Sequence, residues 1–369
     1  MDKVIKTIMN KLLENGHEAY IVGGAVRDML VVASPKDFDI TTDAWPKEVM
    51  AIFKDYPLKL DGLQYGTVSI VIDSKTVEVT SYRKDGRYND GRHPNNVTFT
   101  KDVIDDLKRR DFYINAILMD IDEKIHDPLN GLQDIKDKKI RVIGSPYKRF
   151  KEDALRILRA IRFSGQLGFA IDEDTKTAMY EMIPELDHIA KQRKANEFLK
   201  TLMTPCPNVL DEYRDIFSRF ISYDLVPASL VKTDDVLLRL ALLFIDHPQE
   251  IDKLFLSKKI AQKINTYMRY SNPKEEDLPT IFSEVDDVDQ YIEYIHLYKG
   301  IDLRPYLTAL RDYIVSFNTL AIKTSELIDL GYKTKALGDI KRQLVSLIHQ
   351  KVIRNDIQDI MSYLLEEMV

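Results

Sequence analysis

Apolar and polar positions change their spacing along the chain at about residue 145. Before that point, short β-branched and apolar runs predict strands, and residues 67–72 and 76–81 predict the two arms of a hairpin. Stretches with helical spacing are interleaved with these runs. After it, nearly every segment repeats apolar residues every three or four positions, as residues 155–161 do. The pattern therefore predicts an α+β domain followed by an all-α remainder.

Breaks in the helical periodicity indicate where this remainder divides. Proline-containing interruptions occur at residues 204–207 and 271–273, among other places. We predict four parts, namely a head at residues 1–145, a neck at 146–203, a body at 204–290 and a tail at 291–369.

Composition limits the classes of protein that the chain can represent. The 369 residues include 44% hydrophobic and 30% charged residues, a mixture typical of globular proteins. The single cysteine, Cys206, excludes a disulfide framework and a cysteine-rich zinc site, and it fits a reducing cytoplasm. Residues 1–20 predict an amphipathic helix and not a signal peptide. The most apolar run, residues 236–245, is too short to cross a bilayer. We expect a cytoplasmic protein without a membrane partner.

The net charge of -6 does not indicate a nucleic-acid binder, so such a role requires a local basic patch. Residues 136–162 contain ten Lys or Arg and three Asp or Glu. This concentration of positive charge is what contact with nucleic-acid phosphates requires.

A glycine pair lies between a predicted strand and a predicted helix at residues 23–28. Gly23 and Gly24 would let backbone N–H groups approach a phosphate, and the helix N-terminus adds free donors. Arg27 in the first helical turn could hold phosphate oxygens with its fork. The alternative is an ordinary strand-to-helix turn with a surface arginine.

Two aspartates follow on the next predicted strand. Asp37 and Asp39 are two positions apart and share a face, while Phe38 and Ile40 point to the other. Adjacent carboxylates repel unless a cation lies between them, and Mg²⁺ is commonly held by carboxylates together with substrate phosphates. Alone, such a pair is more often a solvated strand end, but its position shortly after a strand, a glycine pair and a helix favours the metal site. Glu78 is a candidate third acidic residue of this site, although an exposed sheet face explains it nearly as well.

Several segments resemble, in order along the chain, the class II tRNA nucleotidyltransferases of the polymerase-β superfamily, which are the CCA-adding enzymes and bacterial poly(A) polymerases. They are residues 23–28 with 37–39, 84–94 (similar to the flexible loop of enzymes that add the terminal adenosine), 109–116, 127–131 and 152–163. The resemblance implies a nucleotidyltransferase head with a mixed sheet and helices, followed by an all-α neck, body and tail.

The resemblance also implies a reaction and its participants. The tRNA 3′-hydroxyl attacks the α-phosphate of CTP or ATP, so that CCA is added without a template and pyrophosphate is released. Asp37 and Asp39 are the implied catalytic residues and Mg²⁺ ligands, and Gly24, Arg27 and Arg110 are implied to hold the nucleotide. The tRNA is expected to contact the enzyme at its acceptor end and at its elbow, the latter through the tail.

Base selection is expected from the neck. Asp153, Arg156, Arg159 and Arg162 recur every third residue, so neighbours share a face of a helix. A carboxylate acceptor beside a guanidinium donor fits the amino group and ring nitrogen of cytosine and adenine, whereas guanine and uracil present the opposite polarity. The alternative for this pattern is a surface salt bridge with exposed arginines.

Other functions remain open from the sequence. The chain could be a narrower nucleotidyltransferase that adds only A, or a poly(A) polymerase. From a different class, it could be a non-catalytic RNA-binding protein, although that would predict loss of Asp37 or Asp39, and both are present. No oligomeric state is predicted.

Overall fold

A computed structural model describes residues 1–31, 35, 38–86, 96–333 and 335–367. The predicted metal ligand Asp37 and residues 87–94 of the predicted loop lie outside the described residues. The chain divides into two units, Met1–Phe220 and Ile221–Val369. In the portions of the chain that are described, no helix has the length and apolar character needed to span a membrane.

The strands belong to the first unit. In chain order they are β1 (Ala19–Val22), β2 (Asp39–Thr42), β3 (Leu58–Lys59), β4 (Thr67–Ile72), β5 (Lys75–Ser81), β6 (Arg83–Asp85), β7 (Val97–Phe99), β8 (Leu118–Met119), β9 (Ile125–His126), β10 (Lys139–Ile140) and β11 (Ala170–Ile171).

The α-helices of both units follow in chain order. In the first unit they are α1 (Lys3–Glu14), α2 (Gly24–Val31), α3 (Pro46–Ile52), α4 (Val103–Lys108), α5 (Gly131–Lys136), α6 (Pro146–Glu152), α7 (Leu155–Leu167), α8 (Glu173–Glu181), α9 (Lys191–Leu202), α10 (Val209–Glu212) and α11 (Arg214–Phe217). In the second unit they are α12 (Val236–Leu243), α13 (Lys258–Arg269), α14 (Leu278–Glu284), α15 (Val288–Lys299), α16 (Arg304–Ala309), α17 (Thr324–Asp329), α18 (Lys335–His349) and α19 (Ile357–Glu367).

A seven-stranded mixed sheet organises the first unit, with the order β3-β4-β5-β2-β1-β8-β9. β2 and β5 run parallel, and the other neighbouring strands of this sheet run antiparallel. β4 and β5 begin after residue 66, and they join the sheet with β4 beside β3 and β5 beside β2. Central strand β2 therefore lies between β1 and β5, and each of its residues has a partner on both sides.

The two faces of the central strands differ in polarity. Ile40 of β2 and Val79 of β5 are fully buried, and they belong to a core that includes residues of α1, α2 and α3. The opposite face carries Asp39 and Thr41 of β2 and Glu78 of β5, since side chains alternate along a strand. One face thus packs on helices, and the other presents polar groups.

The hairpin predicted at residues 67–81 is present as β4 and β5. Its turn residues Asp73 and Ser74 have φ values of 48° and 64°. Two positive φ angles are characteristic of the type I′ turn that joins twisted antiparallel strands, and Asp tolerates this region better than most residues.

The predicted neck helix is interrupted. α6 ends before Asp153, whose backbone is extended, with φ of -151° and ψ of 101°. The Asp153 Oδ1 atom accepts a hydrogen bond of 3.0 Å from the Leu155 backbone N–H at the start of α7. Asp153 therefore does not share a helix with Arg156, Arg159 and Arg162, because its side chain satisfies a free donor at a helix start.

The second unit is helical, as the pattern predicts. One of its cores is formed by apolar residues from the region of α17 to α19, among them Leu327, Leu344 and Ile360, which are fully buried. The predicted fold class, an α+β domain followed by helices, is confirmed, with only the short strand β11 occurring in the helical part of the described chain. The boundaries at residues 145, 203 and 290 stay predictions.

Candidate functional site

Two carboxylates lie side by side on neighbouring strands of the polar sheet face. Asp39 on β2 is in register with Glu78 on the parallel strand β5, so both side chains point to the same face. Both residues are exposed. The pKa of Glu78 is raised, first because nearby atoms reduce the hydration of its carboxyl and second because the charge of Asp39 is close. A cation would relieve this repulsion.

The predicted metal ligands can be located only in part, because Asp37 lies outside the described residues. Among the residues that are described, no group of three or more His, Cys, Asp or Glu side chains is placed to hold a metal ion. Glu78 lies beside Asp39, where the hypothesis of a further acidic residue requires it. Its role as a ligand stays a prediction.

The glycine turn brings the helix α2 N-terminus to this carboxylate. Gly23 has a φ of 79°, in the left-handed region that favours glycine. A methyl group on Gly23 would lie 3.5 Å from Nη1 of Arg110 and 3.8 Å from Oδ2 of Asp39. Three elements predicted to serve one nucleotide, the turn at Gly23 and Gly24, Arg110 and Asp39, therefore converge on one point.

Arg110 is oriented by a buried carboxylate. Asp106 on α4 is fully buried and accepts a hydrogen bond of 3.1 Å from Nη2 of Arg110 and one of 2.8 Å from Nε of Arg109. The hydroxyl of Thr41 also donates to it, at 3.3 Å. Burial alone would raise the pKa of Asp106, but the charges of Arg109 and Arg110 lower it below its usual range. The carboxylate therefore stays charged and holds the Arg110 fork.

Arg27 points into the protein. Its side chain is only 3% exposed, and it donates to Asp28 at 2.6 and 2.8 Å and to Oδ1 of Asn115 at 2.6 Å. The predicted use of this fork on phosphate oxygens stays a prediction, and in this structure the fork contacts protein groups.

A network of polar contacts links Arg27 to the helix α7. Asn115 donates to Oδ1 of Asp111 at 2.9 Å, and Oδ2 of Asp111 accepts from Arg159 at 2.6 and 2.9 Å. Burial opposes ionisation of Asp111, but Arg159 and Asn115 hold its pKa well below the usual range. Arg159 is thus bound to Asp111 by two charge-assisted hydrogen bonds to one carboxylate oxygen.

Three guanidinium groups lie close to the ring of Phe163. Arg27 of α2 lies 4.7 Å from the ring centroid, Arg159 of α7 lies 5.3 Å away, and Arg162 of α7 lies 4.2 Å away. Phe112 meets the same ring edge-on at 5.5 Å. Each contact is of the cation–π or aromatic type, and together they join the head to α7.

The predicted base-reading residues each have a partner inside the first unit. Asp153 accepts from Arg193 of α9 at 2.8 Å, Arg156 donates to Glu152 at 3.0 Å, and Arg162 donates to Glu197 of α9 at 2.7 Å. The expected basic surface at residues 136–162 is therefore reduced, because its arginines at 149, 156, 159 and 162 pair with carboxylates. The lysines of that segment are exposed.

Sequence reasoning did not identify several residues of this network. Glu152 is four positions before Arg156, and this spacing is a local signal for an ion pair that could have been used. By contrast, Asp111 and Glu197 lie 48 and 35 positions from their arginine partners. No local pattern indicates such pairs.

Comparison with known proteins gives two family matches, and both lie within the first unit. Residues 19–141 match the family described as Poly A polymerase head domain, and residues 168–212 match the one described as Probable RNA and SrmB- binding site of polymerase A. A CCA-adding enzyme of Oceanobacillus iheyensis is 47% identical over 194 residues, 52% of this chain and 48% of that protein. One from Geobacillus stearothermophilus is 46% identical over 199 residues, 54% of this chain and 48% of that protein.

These matches span about half the length of the curated relatives. Structural similarity extends further, since the crystal structure of Bacillus stearothermophilus CCA-adding enzyme in complex with CTP covers 100% of this chain and 98% of that one, with a TM-score of 0.81 and 27% identity. Residues 19–141 therefore resemble a poly(A) polymerase head domain, and the chain shares the fold of the Bacillus stearothermophilus CCA-adding enzyme. The resemblance inferred from its motifs is thereby confirmed.

A more distant member of the same fold is a Thermotoga maritima CCA-adding enzyme complexed with tRNA. It covers 100% of this chain and 97% of that one, with a TM-score of 0.68 and 19% identity. At this identity the likeness concerns the fold. In the present chain, the matched residues 19–141 include β1, β2 and Gly23, the glycine that Arg110 and Asp39 approach.

Proposed function

We propose that this protein is a tRNA nucleotidyltransferase that adds C, C and A to the 3′ end of tRNA without a template. CTP and ATP are its substrates, and pyrophosphate is released. The observation that carries the proposal is the approach of Arg110 and Asp39 to the same glycine, Gly23, at the start of α2. This arrangement combines a phosphate-binding turn, a cation for phosphate oxygens and a carboxylate for metal ions.

A divalent cation fits the donor set on the polar sheet face. Asp39 and Glu78 are carboxylates in register on one face, and a cation would neutralise the Asp39 charge that, after reduced hydration, contributes to the raised pKa of Glu78. Asp39, with Asp37, is proposed to hold Mg²⁺, and Glu78 to assist. When bound, two such ions would lower the pKa of the attacking 3′-hydroxyl and offset charge on the leaving pyrophosphate.

The triphosphate is proposed to lie on the glycine turn. The backbone N–H groups at Gly24 and the start of α2 are directed outward from the helix and lack partners within it. Arg110 adds a guanidinium whose orientation Asp106 already fixes at 3.1 Å. Such preorganised positive groups stabilise phosphoryl transfer without reorganising during the reaction.

Base selection is proposed to use Asp153 and Arg156, with Arg159 and Arg162 completing the nucleotide pocket. Arg193 and Glu152 hold the first two side chains. A fixed carboxylate and guanidinium can accept from the amine and donate to the ring nitrogen of cytosine or adenine, whereas uracil and guanine would leave them unpaired. The Bacillus stearothermophilus relative binds CTP, which supports CTP as a ligand here.

The remaining parts of the proposal concern RNA and location. The region 168–212 matches a family described as a probable RNA-binding site, which supports tRNA contact from the neck. The tail from residue 291 is proposed to contact the tRNA elbow, and the cytoplasm is proposed as the site of action. Head, neck, body and tail are assigned to residues 1–145, 146–203, 204–290 and 291–369.

The test is an extension assay on tRNA transcripts that lack CCA. We expect one or two added nucleotides with CTP alone, none with ATP alone, and three with both. A-addition that requires a transcript already ending in CC would identify an A-adding enzyme, and long A tracts would identify a poly(A) polymerase.

Catalysis is tested with Asp39→Ala, for which we expect a loss of about a thousandfold or more in extension rate. Asp61→Ala, another exposed aspartate of the head, serves as the matched control and should retain the wild-type rate. Equal extension by wild type and Asp39→Ala would refute the metal assignment. Binding of tRNA without any extension would favour the non-catalytic alternative.

A further inference from the structure

Arg149 is a buried arginine that belongs to the predicted basic surface by sequence but not by structure. It lies in α6 and is 7% exposed. Its Nη2 atom donates to the backbone carbonyls of Arg109 and Arg110, and its Nη1 atom donates to the carboxylate of Glu152. One side chain therefore contacts the backbone that supports Arg110 and an acidic residue of the neck.

The carboxylate of Glu152 also contacts Arg156, one of the two residues proposed to select the base. Oε2 of Glu152 accepts from Nη1 of Arg156 at 3.0 Å, and this Nη1 also donates to the backbone carbonyl of Arg149 at 2.7 Å. Arg156 is itself only 7% exposed. Arg149, Glu152 and Arg156 thus form a closed set of contacts, with Arg110 attached through its carbonyl.

The chemistry of these contacts requires arginine. A planar guanidinium presents five donors in a fixed fork, so it can serve two adjacent carbonyls and a carboxylate at once. A lysine ammonium is a point charge on a flexible stem and cannot hold the same three directions. Without the guanidinium, the partly buried carbonyls of Arg109 and Arg110 would lose these donors, and Glu152 would lose its contact with residue 149.

We propose that Arg149 is a positioning residue that links the phosphate-binding Arg110 to the base-reading Arg156. The proposal rests on the proposed function of the site and adds to it a coupling between two of its parts. Its consequence is that phosphate affinity and base discrimination change together when Arg149 is replaced. A residue that only stabilises the fold would change neither in a folded enzyme at a temperature well below unfolding.

The experiment compares Arg149→Met and Arg149→Lys with Arg239→Met. Arg239 is a matched control in the second unit, because it is 3% exposed and donates to the carbonyl of Thr233 at 2.7 Å and to Asp234 at 3.2 Å. KM and kcat are measured separately for CTP and ATP on tRNA lacking part of the CCA end, together with misincorporation of UTP and GTP. Thermal unfolding of each variant sets the assay temperature.

For Arg149→Met we expect KM for both nucleotides to rise about tenfold and relative UTP incorporation to rise by a similar factor. Arg149→Lys should give smaller changes in the same two quantities. Arg239→Met should lower the unfolding temperature without changing either quantity more than about twofold. If Arg149→Met does not fold, Arg149→Lys and Glu152→Gln, which interrupts the same set of contacts, decide the question.

The proposal is overturned if folded Arg149 variants keep wild-type KM and discrimination, or if only kcat falls in step with stability as in Arg239→Met. A rise in KM without any change in discrimination also overturns it, since coupling would then be absent. The activity of the wild-type protein distinguishes a failure of the Arg149 proposal from a failure of the proposed function. If wild type does not incorporate CTP or ATP, the function itself is wrong, whereas an active wild type confines the failure to Arg149.

Discussion

The sheet face at Asp39 brings like charges together, whereas the interface around α7 pairs opposite charges. On the sheet, Asp39 and Glu78 are exposed and lie in register, and the pKa of Glu78 is raised, first by reduced hydration of its carboxyl and second by repulsion from Asp39. Around α7, Asp111 pairs with Arg159 at a partly buried position, and the pKa of Asp111 is lowered. Like charges that face solvent gain from an added cation, whereas paired opposite charges are satisfied before any ligand arrives.

This difference separates two tasks. The α7 interface holds its arginines in fixed directions, which suits reading the shape of a base. The sheet face has negative charge to offer, which suits binding metal ions with a triphosphate. Substitutions at the two places should therefore have opposite effects on stability, and the following predictions test that contrast.

Breaking the partly buried pair should have the largest effect. Asp111→Asn leaves Arg159 without its carboxylate, and we expect a loss of about 2 kcal/mol in the free energy of unfolding at pH 7. Chemical denaturation measures it. Because the folded pKa of Asp111 lies below the unfolded value, its contribution is complete above that unfolded value and is lost as the pH falls through the folded pKa.

The matched control is Asp187→Asn. Asp187 pairs with Arg219 at the same kind of distance, 2.7 Å, but this pair is exposed. The unfolding transition of this variant should stay at the wild-type position, since exposed pairs contribute little. If both variants unfold alike, burial does not distinguish the two pairs and the comparison fails.

A smaller effect is expected at the glycine turn. Gly23→Ala places a side chain at a φ of 79°, which costs about 1–2 kcal/mol of stability. Gly16 has a φ of 81° and no atom within 4 Å of an added Cβ, so Gly16→Ala carries the same backbone strain alone. Both variants should unfold at similar denaturant concentrations, but only Gly23→Ala should raise KM for CTP and ATP, because its methyl group contacts Arg110.

The smallest change, and one of opposite sign, is expected at Glu78. Its pKa is raised in the folded protein, so the stability present below the unfolded pKa is lost as the pH rises through the folded pKa. Glu78→Gln should therefore be slightly more stable than wild type at pH 7 without metal. Mg²⁺ should reverse that order. A Glu78→Gln variant that is less stable than wild type without metal would contradict the repulsion between Asp39 and Glu78.

The parts of this molecule that sequence predicts are those fixed by neighbours in the chain. The hairpin of β4 and β5 follows from β-branched runs around a short polar turn. The glycine turn and Asp39 were identified for the same reason, since the residue types that the chemistry needs lie within a few positions of one another. The resemblance to family motifs predicts that Arg110 and Arg156 serve one site, and this stays a prediction.

The parts that sequence did not predict depend on distant pairing. Sequence names Glu78 as a candidate for the site of Asp39, but their register arises from a parallel pairing of strands 39 positions apart, which alternation along either strand alone does not reveal. The spacing of Asp153, Arg156, Arg159 and Arg162 predicted one helix. The backbone is extended at Asp153 because its side chain caps the following helix.

Because three guanidinium groups surround Phe163, this side chain can report on the arrangement of α2 and α7. Its ring receives guanidinium groups from α2 and from α7 at 4.2–5.3 Å, so a change in the angle between these helices alters the electric field at the ring. A single fluorine atom introduced there would convert such a rearrangement into a resonance shift. Successive steps of the proposed nucleotide addition could then be followed in solution from one aromatic residue.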